Sequence, residues 1–366
     1  MTVLFIVNQA GTQDFYWKNA MWWKETDYAA KKPYLKARMV LIQAVRAFFD
    51  GQGFCEVETP ALQVSPGMEP HLHAFRTTLL NPERDSERTL YLHTSPEFAM
   101  KKLLVAGWPR IYQICHVFRN AEGSRLHSPE FTMIEWYRAH AGYRDIMADC
   151  EGLLRAVATA LGIEAYRYRG ISADPFVEWE YITVCEAFEK YAGIDLASFL
   201  FSLPQAGGGD VKELRAAMRE AGLHTALDDT FEDLIVRVLG ELIEPKLGQG
   251  RPTILYDYPV SMAALSRPKP EDPRFAERFE LYICGVELAN AFGELTDPVA
   301  QRARFEADMA LKQKLYGETW PVDEEFIAAL EHGMPESGGI ALGIDRLAML
   351  ATGAEEIGQV LWITLF

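Results

Sequence analysis

Between residues 34 and 50 the apolar side chains Leu35, Met39, Ile42, Val45 and Phe49 recur every three or four positions, which predicts a helix with one apolar face. Gly51 and Gly53 end it. Residues 54–59 predict a strand stopped by Pro60, residues 61–90 a loop region with short strands, and residues 90–93 a strand leading into Thr94-Ser95-Pro96-Glu97. Pro96 stands where a helix would start. Two strands, 111–119 and 131–138, are joined by a polar loop. Helical spacing then covers 145–161, 183–191, 210–221 and 229–245, interrupted by the flexible break 204–209. Residues 278–283 and 286–292 predict a hairpin turning at Cys284-Gly285. A glycine-rich strand (338–343), a helix (344–352) and a last strand (359–365) close the chain. Residues 1–20 show no sustained periodicity, and Met21 before Trp22-Trp23 reads as the natural start, with 1–32 an N-terminal extension.

Composition adds limits. With 366 residues, 49% hydrophobic and 24% charged, the chain can bury a full core in one large domain or one domain with insertions. No run approaches the roughly 20 apolar residues of a membrane span, and the apolar stretch 3–7 is too short for a secretory signal. Five scattered cysteines without a C-x-x-C pair read as reduced thiols of a cytoplasmic protein. The net charge of −16 weighs against nucleic acid as the main partner. The one concentrated basic stretch is Lys31, Lys32, Lys36 and Arg38.

Strand alternation places Phe131, Met133, Glu135 and Tyr137 on one face and Thr132, Ile134, Trp136 and Arg138 on the other. An aromatic platform with Arg119 beside it suits a nucleotide, the ring stacking on a base and the guanidinium gripping a phosphate. A half-buried strand with a surface ion pair fits the same pattern. In the hairpin, a two-residue turn sets Tyr282 opposite Glu287 with Glu280 further along the same face. Two such carboxylates suit Mg²⁺ between ATP phosphates, or else a solvated acidic face. Simple alternation opposes Asn290 to Glu287, so joining them requires a bulge near residues 289–291. Gly338-Gly-Ile-Ala-Leu-Gly-Ile-Asp-Arg346 allows close backbone approach and sets Arg346 in the first turn of a helix.

Several blocks together resemble the class II aminoacyl-tRNA synthetases of lysyl type. Phe118-Arg119-Asn120 through His127, Pro129-Glu130-Phe131-Thr132 and Glu135-Trp136-Tyr137 look like motif 2, and the run from Gly339 to Arg346 like motif 3. The helix 34–50 running into Glu56-Val-Glu-Thr-Pro60 resembles motif 1, the dimer-forming element. The resemblance covers residues 33–366 and implies an α+β fold, the class II catalytic core: an antiparallel β-sheet flanked by helices, with a helical insertion at about 145–250. Roughly 33 residues precede motif 1, too few for the anticodon-binding OB-fold barrel of lysyl-tRNA synthetases. Ala341 also stands where those enzymes typically have glycine. Both features are similar to the elongation factor P–(R)-β-lysine ligases, stand-alone catalytic-core paralogues.

The resemblance implies an AMP-forming, ATP-dependent ligase that activates (R)-β-lysine or lysine and passes it to the ε-amine of a lysine of elongation factor P. It implies a homodimer through motif 1, with no membrane and with tRNA disfavoured as acceptor. Arg119 would hold the α-phosphate, Arg346 and His127 the outer phosphates, and Phe131 would stack on adenine. Glu280 and Glu287 would hold Mg²⁺. Glu97 and Ser95 belong to the amino-acid site, with Glu97 facing the amino group near the carboxylate. Glu135, Glu294 and Tyr137 would enclose the distal ammonium, while Asn290 and Ala341 complete the wall. The family places Glu or Gly after Arg-Asn, whereas this chain has Ala121 and then Glu122, the candidate ATP contact. The base for acyl transfer is open among His71, His73 and His93. Two other readings are a truncated lysyl-tRNA synthetase that charges tRNA and a non-catalytic regulatory paralogue that binds a partner.

Overall fold

The computed structural model describes residues 23–201 and 208–365. The expectations for residues 1–20 and Met21 lie outside the described residues, as does most of the 204–209 break. Helix α1 (Lys32–Gly51) buries Leu35, Arg38, Leu41, Val45 and Phe49. Met39, placed on the apolar face by spacing alone, is 50% exposed. Arg38 takes a place in the buried stripe because Asp345 answers its charge in the interior. It is therefore no part of a surface basic patch.

Eight strands form the central sheet: β1 (Cys55–Glu56), β2 (Arg110–Phe118), β3 (Glu130–Ala139), β4 (Glu180–Thr183), β5 (Thr253–Pro259), β6 (Phe275–Ile283), β7 (Val286–Gly293) and β8 (Ser337–Gly343). Their spatial order is β1-β2-β3-β8-β7-β6-β5-β4. The six inner strands pair antiparallel, as expected of the fold class, and the outermost pairs β1–β2 and β4–β5 run parallel. Helix α2 (Glu97–Val105) follows Pro96. Helix α3 (Tyr143–Leu161) packs with α1 and α9 (Ile344–Thr352) on one face of the sheet, where Tyr112, Ile134, Trp136, Phe279, Leu281 and Leu342 complete the main core.

A second core gathers α4 (Val184–Ala192), α5 (Val211–Glu220) and α6 (Phe231–Val238). Thr183 caps α4, its hydroxyl accepting from the Glu186 amide while the Glu186 carboxylate reaches back. The predicted continuous helix 229–245 is broken. After α6 the chain widens into a π-turn (Leu239–Ile243) and then a 3₁₀ turn (Glu244–Lys246). Pro245 has no amide hydrogen to continue the ladder.

A third core joins α2 to α7 (Pro298–Tyr316) and α8 (Glu324–Gly333), with Phe98 stacked on Phe326 at 4.8 Å between ring centroids. Spacing had not singled out α7, α8, β4 or β5. The last expected strand, 359–365, is absent. Ile357–Gln359 forms a 3₁₀ turn, and the following Trp362, Ile363 and Leu365 are exposed. Apolar content there predicts pairing, yet the segment takes no place in the sheet, and apolar content alone does not specify a strand.

Candidate active site

The β6–β7 hairpin turns at Cys284 (φ 55°) and Gly285 (φ 74°), the two positive-φ residues that a type I′ turn requires. Tyr282 pairs with Glu287, as read from the turn, but the next pairs are Leu281–Ala289 and Glu280–Asn290. The extra residue is Leu288, one position before the expected stretch. This bulge brings Glu287 and Asn290 to the face that carries Glu280.

That face, with the Phe131–Met133–Glu135–Tyr137 side of β3 and the Ala341 side of β8, walls a cavity of about 400 Å³. Every residue expected to touch nucleotide, metal or amino acid lines it except Glu280. At one end Arg119 lies over the Phe131 ring, 5.2 Å from its centroid, and reaches Glu122 at 4.0 Å. Ala121 adopts φ 61° in the tight turn between them. Arg346 donates to the Glu287 carbonyl at 2.7 Å and lies 3.8 Å from that carboxylate. Its other nitrogen meets His127 Nε2 at 2.6 Å. Burial and the two arginines push the His127 imidazole down to about 4, so at neutral pH it is an uncharged acceptor for Arg346.

Glu280 is engaged elsewhere. One oxygen takes Arg278 at 2.6 Å, and the other accepts from the hydroxyls of Tyr258 and Tyr282, each at 2.6 Å. Arg278 also donates to Asn290 at 3.1 Å. Repulsion between the Glu280 and Glu287 carboxylates is thus answered in part by Arg278, two residues from Glu280 and not among the residues expected from the sequence. Negative charge still accumulates here. Burial, and then Glu280, raise the Glu287 carboxyl, while burial with Glu280 and Glu287 pushes Glu244 up to about 7. Hard oxygen donors with uncompensated charge suit a divalent cation held chiefly by phosphates.

The other end is anionic and closed. Burial, then Glu97, pushes the Glu135 carboxyl up to about 8, although Ser95 donates to it at 2.6 Å and Tyr137 at 2.8 Å. Lys101, fully buried, forms ion pairs with both Glu97 and Glu294. Glu294 is also fully buried, and neither of its oxygens has a hydrogen bond of good geometry. Burial pushes it up to about 7 against the pull of Lys101. Three carboxylates therefore face one ammonium. Lys101 was missed in the sequence, although its position four residues after Glu97 on a helix was a usable signal. Gly339 is equally constrained, since a β-carbon there would fall on Glu294 Oε1 and the Tyr137 ring.

Of the three histidines considered as bases, only His71 lines the cavity, bonded to the Tyr316 hydroxyl at 2.9 Å. His73 is taken by Glu318 at 2.8 Å. His93 is buried against the His116 carbonyl at 2.8 Å.

The family model for tRNA synthetases class II (D, K and N) matches residues 19–364. The chain belongs to that family. It is accordingly an ATP-dependent ligase. Among its relatives, the elongation factor P–(R)-β-lysine ligase of Vibrio cholerae is 40% identical over 328 residues, 89% of this chain and 93% of that one. The same-named protein of Histophilus somni (strain 2336) is 38% identical over 327 residues, with the same coverage. A lysine–tRNA ligase of Pelotomaculum thermopropionicum is 39% identical over 337 residues. This chain spans 63% of that enzyme's length. No helix among the described residues is long and apolar enough to cross a membrane.

Proposed function

We propose that this synthetase-family chain activates a lysine-type diamino acid, (R)-β-lysine or lysine, as its adenylate and transfers it to the ε-amine of a lysine of elongation factor P. The observation that carries the reading is the two-ended cavity. Phosphate-binding arginines and an aromatic plate lie at one end, and Glu97, Glu135 and Glu294 against a single Lys101 at the other. The surplus of negative charge matches a substrate with two ammonium groups, since buried charge must be paired.

Activation is in-line attack of the substrate carboxylate on the α-phosphate. With an unperturbed pKa near 3.5 that carboxylate is already ionised, so no general base is required. Arg119 steadies the α-phosphate, Phe131 stacks on adenine beside Glu122, and Arg346, held by His127, takes the outer phosphates. Glu280 and Glu287 are the residues that would hold Mg²⁺, which when bound offsets charge on the leaving pyrophosphate. Glu97 and Ser95 face the near amino group; Glu135, Tyr137 and Glu294 enclose the distal one; Asn290 and Ala341 close the wall. The Ala341 methyl takes up volume between Asn290 and Glu135, which tilts the site toward a β-amino acid by about 1–3 kcal/mol.

Transfer needs a neutral acceptor amine, and a free lysine is neutral only about once in 2,500 at pH 7. His71 is the base candidate that reaches the cavity. The catalytic domain spans 33–366 in this reading, with a helical insertion at about 145–250, of which the helices after residue 183 belong to the second core while α3 packs in the main one. Met39 and Val40, exposed on α1, support a homodimer through that helix, and the protein acts in the cytoplasm. The similarity to a lysine–tRNA ligase supports a second reading, in which tRNA is the acceptor.

The test is ATP–pyrophosphate exchange with lysine and (R)-β-lysine, followed by mass analysis of elongation factor P and of tRNA. Exchange with either amino acid and a mass gain on the factor are expected. Charging of tRNA alone would move the assignment to the second reading, and no exchange with either amino acid would remove both.

A further inference from the structure

The loop 65–72 crosses the amino-acid end of the cavity, and nothing in the preceding mechanism uses its one charged residue, Glu69. The loop is tied down along its length. Thr94 donates its amide at 3.0 Å and its hydroxyl at 2.8 Å to the Pro66 carbonyl. Trp320 Nε1 donates to the Gly67 carbonyl at 2.5 Å. The fully buried Lys312 donates to the carbonyls of Pro70 at 3.0 Å and Leu72 at 2.7 Å. Gly67 sits at φ 145°, and a β-carbon there would meet both the Thr94 hydroxyl and Glu69 Oε2. The Glu69 carboxylate is therefore folded back beside Thr94, next to the Ser95–Glu97 segment, and forms part of the same cavity wall.

No cation pairs with it directly. Apart from its own backbone amide, the Glu69 carboxylate makes no hydrogen bond or ion pair among the described residues, and Arg119 and Lys101 act on it only without contact. Each cation near it is committed. Lys101 serves Glu97 and Glu294, and Lys312 serves the loop carbonyls. Arg304 donates to the carbonyls of Ala263, Ala264 and Ser266, and Arg119 is over Phe131 beside Glu122. Behind Glu69 stands another acid, Asp308, pushed up to about 7 by burial and by Glu69 itself, which supplies no positive charge. Burial, then Glu97, raises Glu69 as well. Glu294, on the same cavity, leaves two buried oxygens without good hydrogen bonds. A rigid loop that presents an unpaired carboxylate beside Glu97 is a preorganised seat for a cation supplied from outside.

We propose that Glu69 and Glu97 together bind the ammonium group nearest the reacting carboxylate of the diamino-acid substrate, which makes the 65–72 loop a specificity element of the amino-acid site. This rests on the reading that the substrate is a diamino acid. Glu135 and Glu294 then remain for the distal ammonium, and the two ends of the substrate are read by separate carboxylate pairs.

One analogue isolates the near amino group: 6-aminohexanoate is what remains when it is deleted from either lysine or β-lysine. In the full chain, Glu69→Gln should lower kcat/KM for the preferred diamino acid in ATP–pyrophosphate exchange by roughly 10- to 100-fold. The Ki of 6-aminohexanoate as an inhibitor of the same exchange, and the KM for ATP, should stay within about 3-fold. Glu69→Asp, which keeps the charge, should recover part of the loss. An equal rise in KM and in the Ki of the analogue would make Glu69 a structural residue and overturn the proposal, as would an unchanged KM. A wild-type chain that exchanges with neither diamino acid would fail at the earlier reading, before Glu69 is touched.

Discussion

Arg38 and Asp345, 307 positions apart, form a buried ion pair that ties α1 to the start of α9. The second Arg38 nitrogen donates to the Thr132 hydroxyl at 2.9 Å, and the Thr132 amide donates to the other Asp345 oxygen at 2.7 Å. One helix, one sheet strand and the segment carrying Arg346 are fixed by a single closed set of bonds.

Breaking that set from one side strands a charge in the interior. Asp345→Asn or Arg38→Met should each cost about 3–5 kcal/mol of stability. The double variant Arg38→Met with Asp345→Asn should cost clearly less than the sum, because neither charge is then left alone. Urea unfolding of the three variants measures this. Two additive losses would mean that the residues act independently.

At the amino-acid end the carboxyls of Glu135 and Glu294 stand at about 8 and about 7, raised by burial. The ligand-free protein therefore holds protons near neutrality that it must release before it can pair with ammonium groups. The KM for the diamino acid should fall as pH rises from 6 to 8, while the KM for ATP stays level. Glu135→Gln should flatten the upper part of that profile. The same shift has a stability counterpart. Because these folded-state values lie above the ordinary carboxyl range near 4.3, stability contributed by the protonated forms is complete below that range and is lost as pH climbs toward 8. The melting temperature of the ligand-free chain should accordingly drop between pH 5 and 8, and the substrate should restore it at the upper end.

Once ionised, Glu294 is acceptor-only and walled in, so an amide in its place would present a donor to a bound ammonium. Glu294→Gln should raise the amino-acid KM by roughly 10- to 100-fold with little change in the KM for ATP. Equal effects on both substrates, measured by exchange kinetics, would contradict its placement at the amino-acid end.

Gly339 makes the tightest approach in the site. Gly339→Ala would drive a methyl into Glu294 Oε1 and the Tyr137 ring. We expect amino-acid activation to fall on the order of 100-fold while ATP binding, followed by nucleotide fluorescence, persists. Ordinary activation by this variant would show that the wall between β8 and the pocket yields.

The site was largely legible because strands alternate. Once 131–138 is a strand, Phe131, Glu135 and Tyr137 must share a face, and they share the cavity. The hairpin turn was legible from Cys284-Gly285, but its bulge was displaced by one residue, since alternation marks which face a side chain takes and not where a ladder slips. Arg38, Lys101 and Arg278 escaped for a common reason. Each is a charged residue taken into the interior, and periodicity treats charge as surface, whether the partner is 307 positions away, as for Arg38, or within four, as for Lys101 and Arg278. Met39 erred in the opposite sense, an apolar residue left outside. Glu69 lies in a loop without period, where only the folded backbone reveals what it faces. The C-terminal strand failed because apolar content alone does not specify a strand.

The single surplus residue in β7 has a consequence for how this hairpin can vary. Glu287 and Asn290 are an odd number of positions apart and yet look the same way, a parity that a regular strand forbids. Removing Leu288 would restore regular counting and leave Glu287 and Asn290 two positions apart, still on one face and still opposite Tyr282 and Glu280. Removing a residue beyond the bulge would instead turn every later side chain of β7 to the other face. The hairpin therefore tolerates a change of length at Leu288 better than anywhere else along this strand.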